Sequence, residues 1–235
     1  MTDAESISAN LAKIRTKIND TAYACQRDPK NITLLAVSKT KPVSDIISAY
    51  QSGQRDFGEN YVQEGVDKIH DLKAYSDILW HYIGPLQSNK SKLVAENFDW
   101  IHSLDRFKIA KRLNDQRPSS LPPLNVCLQI NIDDDENKSG LHPSEAGELS
   151  KRVHDLPNLC LRGLMTIPKA MQNSSELKDS FSKMKVLYDS LKAQCETVDT
   201  LSMGMSSDME LAISEGSTMV RIGTAIFGHR EKKHK

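Results

Sequence analysis

The feature that most constrains this chain is a regular alternation of short apolar, β-branched runs with amphipathic stretches of helical period. ITLLAVSK over residues 32–39 is the first run, almost continuously apolar, as expected of a strand covered on both faces in a parallel sheet. RDFG (55–58), ILWHYIG (78–84), WIHSL (100–104), LNVCLQINI (124–132), LCLRGLMTI (159–167), TLSMG (200–204) and TMVRIG (218–223) follow it. The intervening spacing predicts helices over 43–51, 61–72, 106–117, 144–154, 176–194 and 208–215, and another starting at Lys90. Ahead of the first run, Ile7, Leu11, Ile14 and Ile18 mark a leading amphipathic helix. Eight strand-like segments separated by helices in 235 residues match an α/β fold built as a (β/α)8 barrel of TIM type. An open doubly wound sheet shares the alternation, but the count favours the barrel. The expected organisation is a single domain over 1–235, with a leading helix in 1–30, an exposed loop over 117–123 and a polar tail over 229–235.

Composition removes several classes of partner. Lys and Arg number 31 and Asp and Glu number 31, so no one-signed field points to nucleic acid or to an anionic membrane. Cys25, Cys127, Cys160 and Cys195 are scattered without a CxxC pair, which favours free thiols in a reducing compartment, and no zinc spacing occurs. The first ten residues lack a basic and an apolar region, and no stretch approaches the ~20 apolar residues of a membrane span. A soluble, cytoplasmic protein without metal ligands is expected.

A barrel carries its chemistry at the C-terminal ends of its strands, so the residues closing each apolar run are the first to inspect. They are Ser38-Lys39, Gly58-Glu59-Asn60, His81 with Gly84, His102-Ser103, Gln129 with Asn131, Met165-Thr166, Ser202-Met203-Gly204 and Arg221 with Gly223-Thr224. A lysine leaving an apolar strand can be desolvated, which lowers its pKa and frees a neutral amine to attack an aldehyde. A solvated lysine at a strand–loop junction, beside Lys41, is the alternative for Lys39. SMGMSSD (202–208) and RIGTAIFG (221–228) offer small residues and free N–H groups after the last two strands, where barrels often hold phosphate. Glycines that merely permit tight turns are the alternative. Arg221 lies between Val220 and Ile222 and needs an acceptor, either a carboxylate in the barrel or a ring nitrogen of a ligand. Asn60 and His81 could contact a ligand, although a lone histidine at a strand end is more often a satisfied structural group.

LLAVSKTKP (34–42), FGENYVQE (57–64), WHYIGPLQSNK (80–90), GLMTIP (163–168), LSMGMSSDME (201–210) and STMVRIGTAIFG (217–228) resemble the YggS/PROSC family of pyridoxal phosphate homeostasis proteins along nearly the whole chain. The resemblance implies a fold like the N-terminal barrel of alanine racemase, with pyridoxal 5′-phosphate (PLP) as cofactor in a Schiff base on Lys39. It also implies Arg221 at the pyridine nitrogen, phosphate contacts from Ser202, Gly223 and Thr224, and a lining of Asn60, His81, Met165 and Met203. Two departures stand out: Ser207 replaces an acid common in the family, and the acids ahead of Lys138 are placed differently, which bears on any secondary role for that lysine.

A racemase of this kind needs a second acid/base opposite the lysine, supplied in alanine racemases by a C-terminal β-domain, and with seven residues following Gly228 no such domain is expected here. The expectation is a PLP carrier with no catalytic residue, monomeric, buffering the cofactor or delivering it to PLP-dependent apo-enzymes. The alternatives are a small racemase using Tyr61, Tyr82 or His81 as second base, and a lyase acting on a phosphorylated sugar through Lys39 without cofactor.

Overall fold

Continuously apolar strands must be covered on both faces, and in the computed structural model, which describes residues 4–169 and 173–228, they are. Eight parallel strands close into a barrel in chain order: β1 (Thr33–Val37), β2 (Asp56–Glu59), β3 (Leu79–Tyr82), β4 (Trp100–Leu104), β5 (Leu124–Gln129), β6 (Leu159–Met165), β7 (Thr200–Ser202) and β8 (Met219–Ile222). Closure is made by β8 pairing with β1, Leu35 standing opposite Arg221. Helices α2 (Val43–Gln51), α3 (Val62–Asp71), α4 (Ser91–Asn97), α5 (Phe107–Gln116), α6 (Ala146–His154), α7 (Ser174–Lys192) and α8 (Met209–Ser214) connect successive strands. The leading helix α1 (Ala4–Ala24) buries Ile7, Leu11, Ile14, Ile18 and Ala22 against α2, α8 and a short closing helix α9 (Thr224–Phe227). Among the described residues no helix is long and apolar enough to cross a membrane. The expected polar tail, 229–235, lies outside the described residues.

The strands are shorter than the apolar runs, for local reasons. The first run reaches Lys39 in sequence, but β1 ends at Val37 because Thr40 takes a left-handed conformation, φ +63°, that turns the chain out of the ladder. The fifth run reaches Ile132 in sequence, but β5 ends at Gln129, beyond which Ile130 forms an isolated bridge to Leu141 and donates its N–H to the Met165 carbonyl at 2.8 Å. The helix expected over 144–154 opens with a 3-10 turn at Pro143–Glu145 before α6. Residues 119–123 are exposed as expected of a loop, whereas Arg117 at its start is buried. Its guanidinium donates to the carbonyls of Ala95 and Phe98 at 2.8 and 2.7 Å, which satisfies groups at the end of α4. Gly163 permits close pairing of β6 with β7: with φ +152°, a Cβ there would sit 1.8 Å from the Thr200 carbonyl oxygen.

Candidate functional site at the barrel mouth

Lys39 lies on the turn after β1, half-buried, and both flanks of that turn are held by one buried ionic cluster. Lys68, on the inward side of α3 and 5% exposed, donates to the Ser38 carbonyl at 2.8 Å, to Glu59 Oε1 at 2.8 Å and to Glu64 Oε1 at 2.7 Å. Ser38 donates its hydroxyl to the same Glu59 oxygen at 2.6 Å, and Glu64 accepts the Thr40 N–H at 2.5 Å. The residue before Lys39 and the residue after it are thus tied to a single ammonium through two carboxylates. Burial pushes the Glu59 carboxyl up from its ordinary range, and the neighbouring Lys68 opposes that rise. Lys41 donates to the Phe227 carbonyl at 2.7 Å, which joins this turn to the end of α9.

Arg221 occupies β8 beside β1 and is 5% exposed. Its Nη1 donates to the Ser202 carbonyl at 2.8 Å and to Ser202 Oγ at 2.9 Å, and Nη2 donates to the Thr166 carbonyl at 2.8 Å. Among the described residues no carboxylate pairs with it and Nε has no acceptor, so backbone dipoles hold the cation in place of an ion pair. Burial lowers its pKa to about 10, with the field of Asp208 opposing the drop. Beside it, the N–H groups of Gly204, Gly223 and Thr224 have no acceptor among the described residues.

A hydrogen-bonded chain of side chains runs from Arg221 to the opposite end of the barrel. Ser202 Oγ and His102 Nδ1 share a bond of 3.0 Å, His102 Nε2 and His81 Nδ1 another of 3.0 Å, and His81 Nε2 and Asp56 Oδ1 a third of 3.1 Å. His102 on β4 reaches β7, a strand it does not pair with, so its side chain crosses the barrel interior. Trp100, two residues earlier on the same face, stacks on His81 with ring centroids 5.2 Å apart and packs with Cys127 and Met165. Burial, then His81 and Arg221, hold His102 well below the usual histidine range.

Of the residues singled out in sequence, Lys39, Asn60, Met165, Ser202, Met203, Arg221, Gly223 and Thr224 come from the C-terminal ends of β6, β7, β8, β1 and β2, a contiguous arc of the barrel. Asn60 is set by the β3 loop: a Cβ on Gly84 would fall 2.0 Å from the Asn60 carbonyl oxygen, so only glycine admits this approach. Asn60 Oδ1 is buried without a partner. Met165 and Met203 are almost wholly buried, and the Ser202 hydroxyl is engaged inward by Arg221 and His102. His81 is fully buried below this arc. Of the proposed second bases, Tyr82 donates to the Pro85 carbonyl at 2.9 Å and burial pushes it up to about 12, while Tyr61 is 52% exposed. Lys138 donates to the carbonyls of Ile167 and Pro168, which pins the loop before it to the end of β6. Sequence reading passed over Lys68 and Asp56. The i,i+4 spacing of Glu64 and Lys68 was a signal for the first, though it reads equally as a solvated helix pair.

A sequence model of the family described as the alanine racemase N-terminal domain matches residues 3–231. The pyridoxal phosphate homeostasis protein of Escherichia coli (strain K12) is 56% identical over 231 residues, covering 97% of this chain and 99% of that protein. The protein of the same name from Haemophilus influenzae is 55% identical over 228 residues, 96% of each. PipY of Synechococcus elongatus PCC7942, solved with PLP bound, superposes with TM-score 0.82 at 35% identity, over 94% of this chain and all, 100%, of that one. Alanine racemase from Corynebacterium glutamicum shares the fold, with TM-score 0.67 at 15% identity over 100% of this chain and 63% of that one.

Proposed function

This chain belongs to the alanine racemase N-terminal-domain family, and from that premise we propose that it is a pyridoxal 5′-phosphate homeostasis protein that holds the cofactor and buffers or delivers it in the cytoplasm. PLP supplies an aldehyde that an amine can capture, a phosphate dianion, and a pyridine ring that acts as an electron sink. The residues present fit such a group. Asn60 Oδ1 is a buried acceptor without a partner, Arg221 keeps Nε unengaged, and the N–H groups of Gly204, Gly223 and Thr224 are available to an anion. Lys39 Nζ is the amine assigned to the aldehyde, Asn60 and Arg221 to the ring, and Ser202, Gly223 and Thr224 to the phosphate, with Met165, Met203 and His81 supporting them from below. The Lys68 cluster holds the Ser38–Thr40 turn, which limits the entropy lost when Lys39 is engaged.

The observation that carries the reading is Arg221, a buried cation held by carbonyls rather than by a carboxylate. A guanidinium at a pyridine nitrogen keeps that nitrogen unprotonated and weakens the sink, which favours holding the cofactor over turning substrate over. The burial of His81 and the carbonyl-bound, high-pKa Tyr82 argue in the same direction. A monomer that passes PLP to PLP-dependent apo-enzymes completes the proposal.

The test is a PLP titration of the purified chain followed by absorbance. A saturable band that Lys39→Ala abolishes while the circular dichroism is unchanged, and loss of that band to an added apo-enzyme in the presence of a trap for free PLP, are the expected results. A band that survives Lys39→Ala, or rapid α-proton exchange on an amino acid, overturns the proposal.

A further inference from the structure

The chain of side chains below the mouth has fewer states than its four bonds suggest, because each contact holds one hydrogen. His81 Nε2 faces the Asp56 carboxylate, so it carries a hydrogen. With His81 neutral, its Nδ1 is bare and must accept from His102 Nε2. A neutral His102 is then bare at Nδ1 and must accept from the Ser202 hydroxyl. All bonds point from Arg221 at the mouth towards Asp56, and Ser202 Oγ accepts only from Arg221. One added proton changes this. With that proton on His81, both ring nitrogens carry a hydrogen: Nε2 still donates to Asp56 Oδ1, and Nδ1 now donates to His102 Nε2. His102 moves its own hydrogen to Nδ1 and donates to Ser202, whose oxygen then accepts from two sides and whose hydrogen must leave this chain for another acceptor.

We infer that His102 is a positioning residue that fixes the direction of the Ser202 hydroxyl, and that a proton taken up by His81 beside Asp56 reverses that direction from one end of the barrel to the other. The geometry suits the role. Asp56 begins β2 and its side chain is 24% exposed, whereas His81, His102 and Ser202 are fully buried, so the proton enters only at the foot. Asp56 opens on a cavity of about 340 Å³ beneath α1 that Arg15 and Arg55 also line. His81 faces Asp56 from β2, His102 from β4 and the field of Asp99, and His102 faces His81 and Arg221. Burial and those two neighbours keep His102 neutral, which is what a relay that changes tautomer without changing charge requires. The stacking of Trp100 on His81, capped by Arg162 at 4.8 Å from the Trp100 ring centroid, fixes the ring planes on which the alignment depends.

The consequence at the mouth rests on the PLP reading: with the chain reversed, the Ser202 hydroxyl is free to donate to a bound phosphate, and with it unreversed the hydroxyl is committed to His102. The first measurement needs no ligand. In nitrogen-15 histidine correlation spectra of the full chain, with His102→Gln used only to assign signals, His102 is expected as the Nε2–H tautomer at high pH. It becomes the neutral Nδ1–H tautomer over the pH range in which His81 becomes the imidazolium in the same spectra. A single His102 tautomer throughout that range, or an imidazolium His102, overturns the inference. The second measurement compares PLP affinity of wild type and Ser202→Ala on both sides of the transition. The variant's deficit is expected to grow about tenfold at the lower pH, and a deficit independent of pH overturns the coupling to the mouth. Failure of the wild type to bind PLP would count against the cofactor reading alone, because the tautomer result is obtained without it.

Discussion

Lys68 on α3 donates to the backbone carbonyl of Ser38 at 2.8 Å, and in doing so a buried ammonium reaches the residue next to the lysine assigned to the cofactor. The same nitrogen binds Glu59 and Glu64, and Glu64 holds Thr40 on the other side. The position of Lys39 is therefore set less by β1, which has already ended, than by a charge cluster drawn from β2 and α3.

Lys68→Met removes the cation and leaves Glu59 and the Ser38 carbonyl buried without it. A loss of about 3–5 kcal/mol is expected at neutral pH, read from urea unfolding. Burial already raises the Glu59 carboxyl in the folded state, and losing Lys68 raises it further. The folded variant therefore binds a proton that the unfolded chain has released, so the deficit is small at acid pH and grows as pH rises through the folded pKa. A deficit that shrinks with rising pH would contradict this account.

Asn60→Leu separates stability from binding. Its Oδ1 is buried without a partner, so replacing the amide with an apolar side chain is expected to leave thermal unfolding unchanged or to stabilise by up to about 1 kcal/mol. PLP affinity is expected to fall by about tenfold in the same variant, by loss of a buried polar contact. An unchanged affinity would remove Asn60 from the site.

His102 gives a dependence of opposite sign to that of Glu59. Burial lowers its folded pKa well below 6.5, so the unfolded chain takes up a proton before the folded one does. Its contribution is complete above 6.5 and is lost as pH falls towards the folded value, with a slope approaching about 1.4 kcal/mol per pH unit. Denaturant unfolding of wild type and His102→Leu between about pH 7 and pH 5 measures it, because histidines other than its partner His81 cancel in the difference. The gap between the two proteins should move by that slope, the variant losing less as pH falls.

Lys39, Asn60, Ser202 and Arg221 were legible because a parallel barrel exports whatever closes its strands to one end, and the apolar runs mark where strands close. Arg221 was legible as a buried cation needing an acceptor, but not its solution. Sequence reading offered a carboxylate or a ligand, and its direct partners are the carbonyls of Thr166 and Ser202 and the Ser202 hydroxyl. Lys68 was hidden because a lysine within an amphipathic helix reads as a solvated face until the helix is docked.

The order of apolar runs and helical stretches by itself determined the eight-unit barrel, the arc of strand ends that forms the mouth, and the lysine and arginine placed there, since periodicity and burial are properties of local sequence. Tertiary structure alone decided the clamp on Lys39 and the chain from Arg221 to Asp56. His81 and His102 are 21 residues apart, and His102 and Ser202 are 100 apart. Such pairs meet only when closure and register bring non-neighbouring strands across one lumen, and no local pattern encodes that meeting.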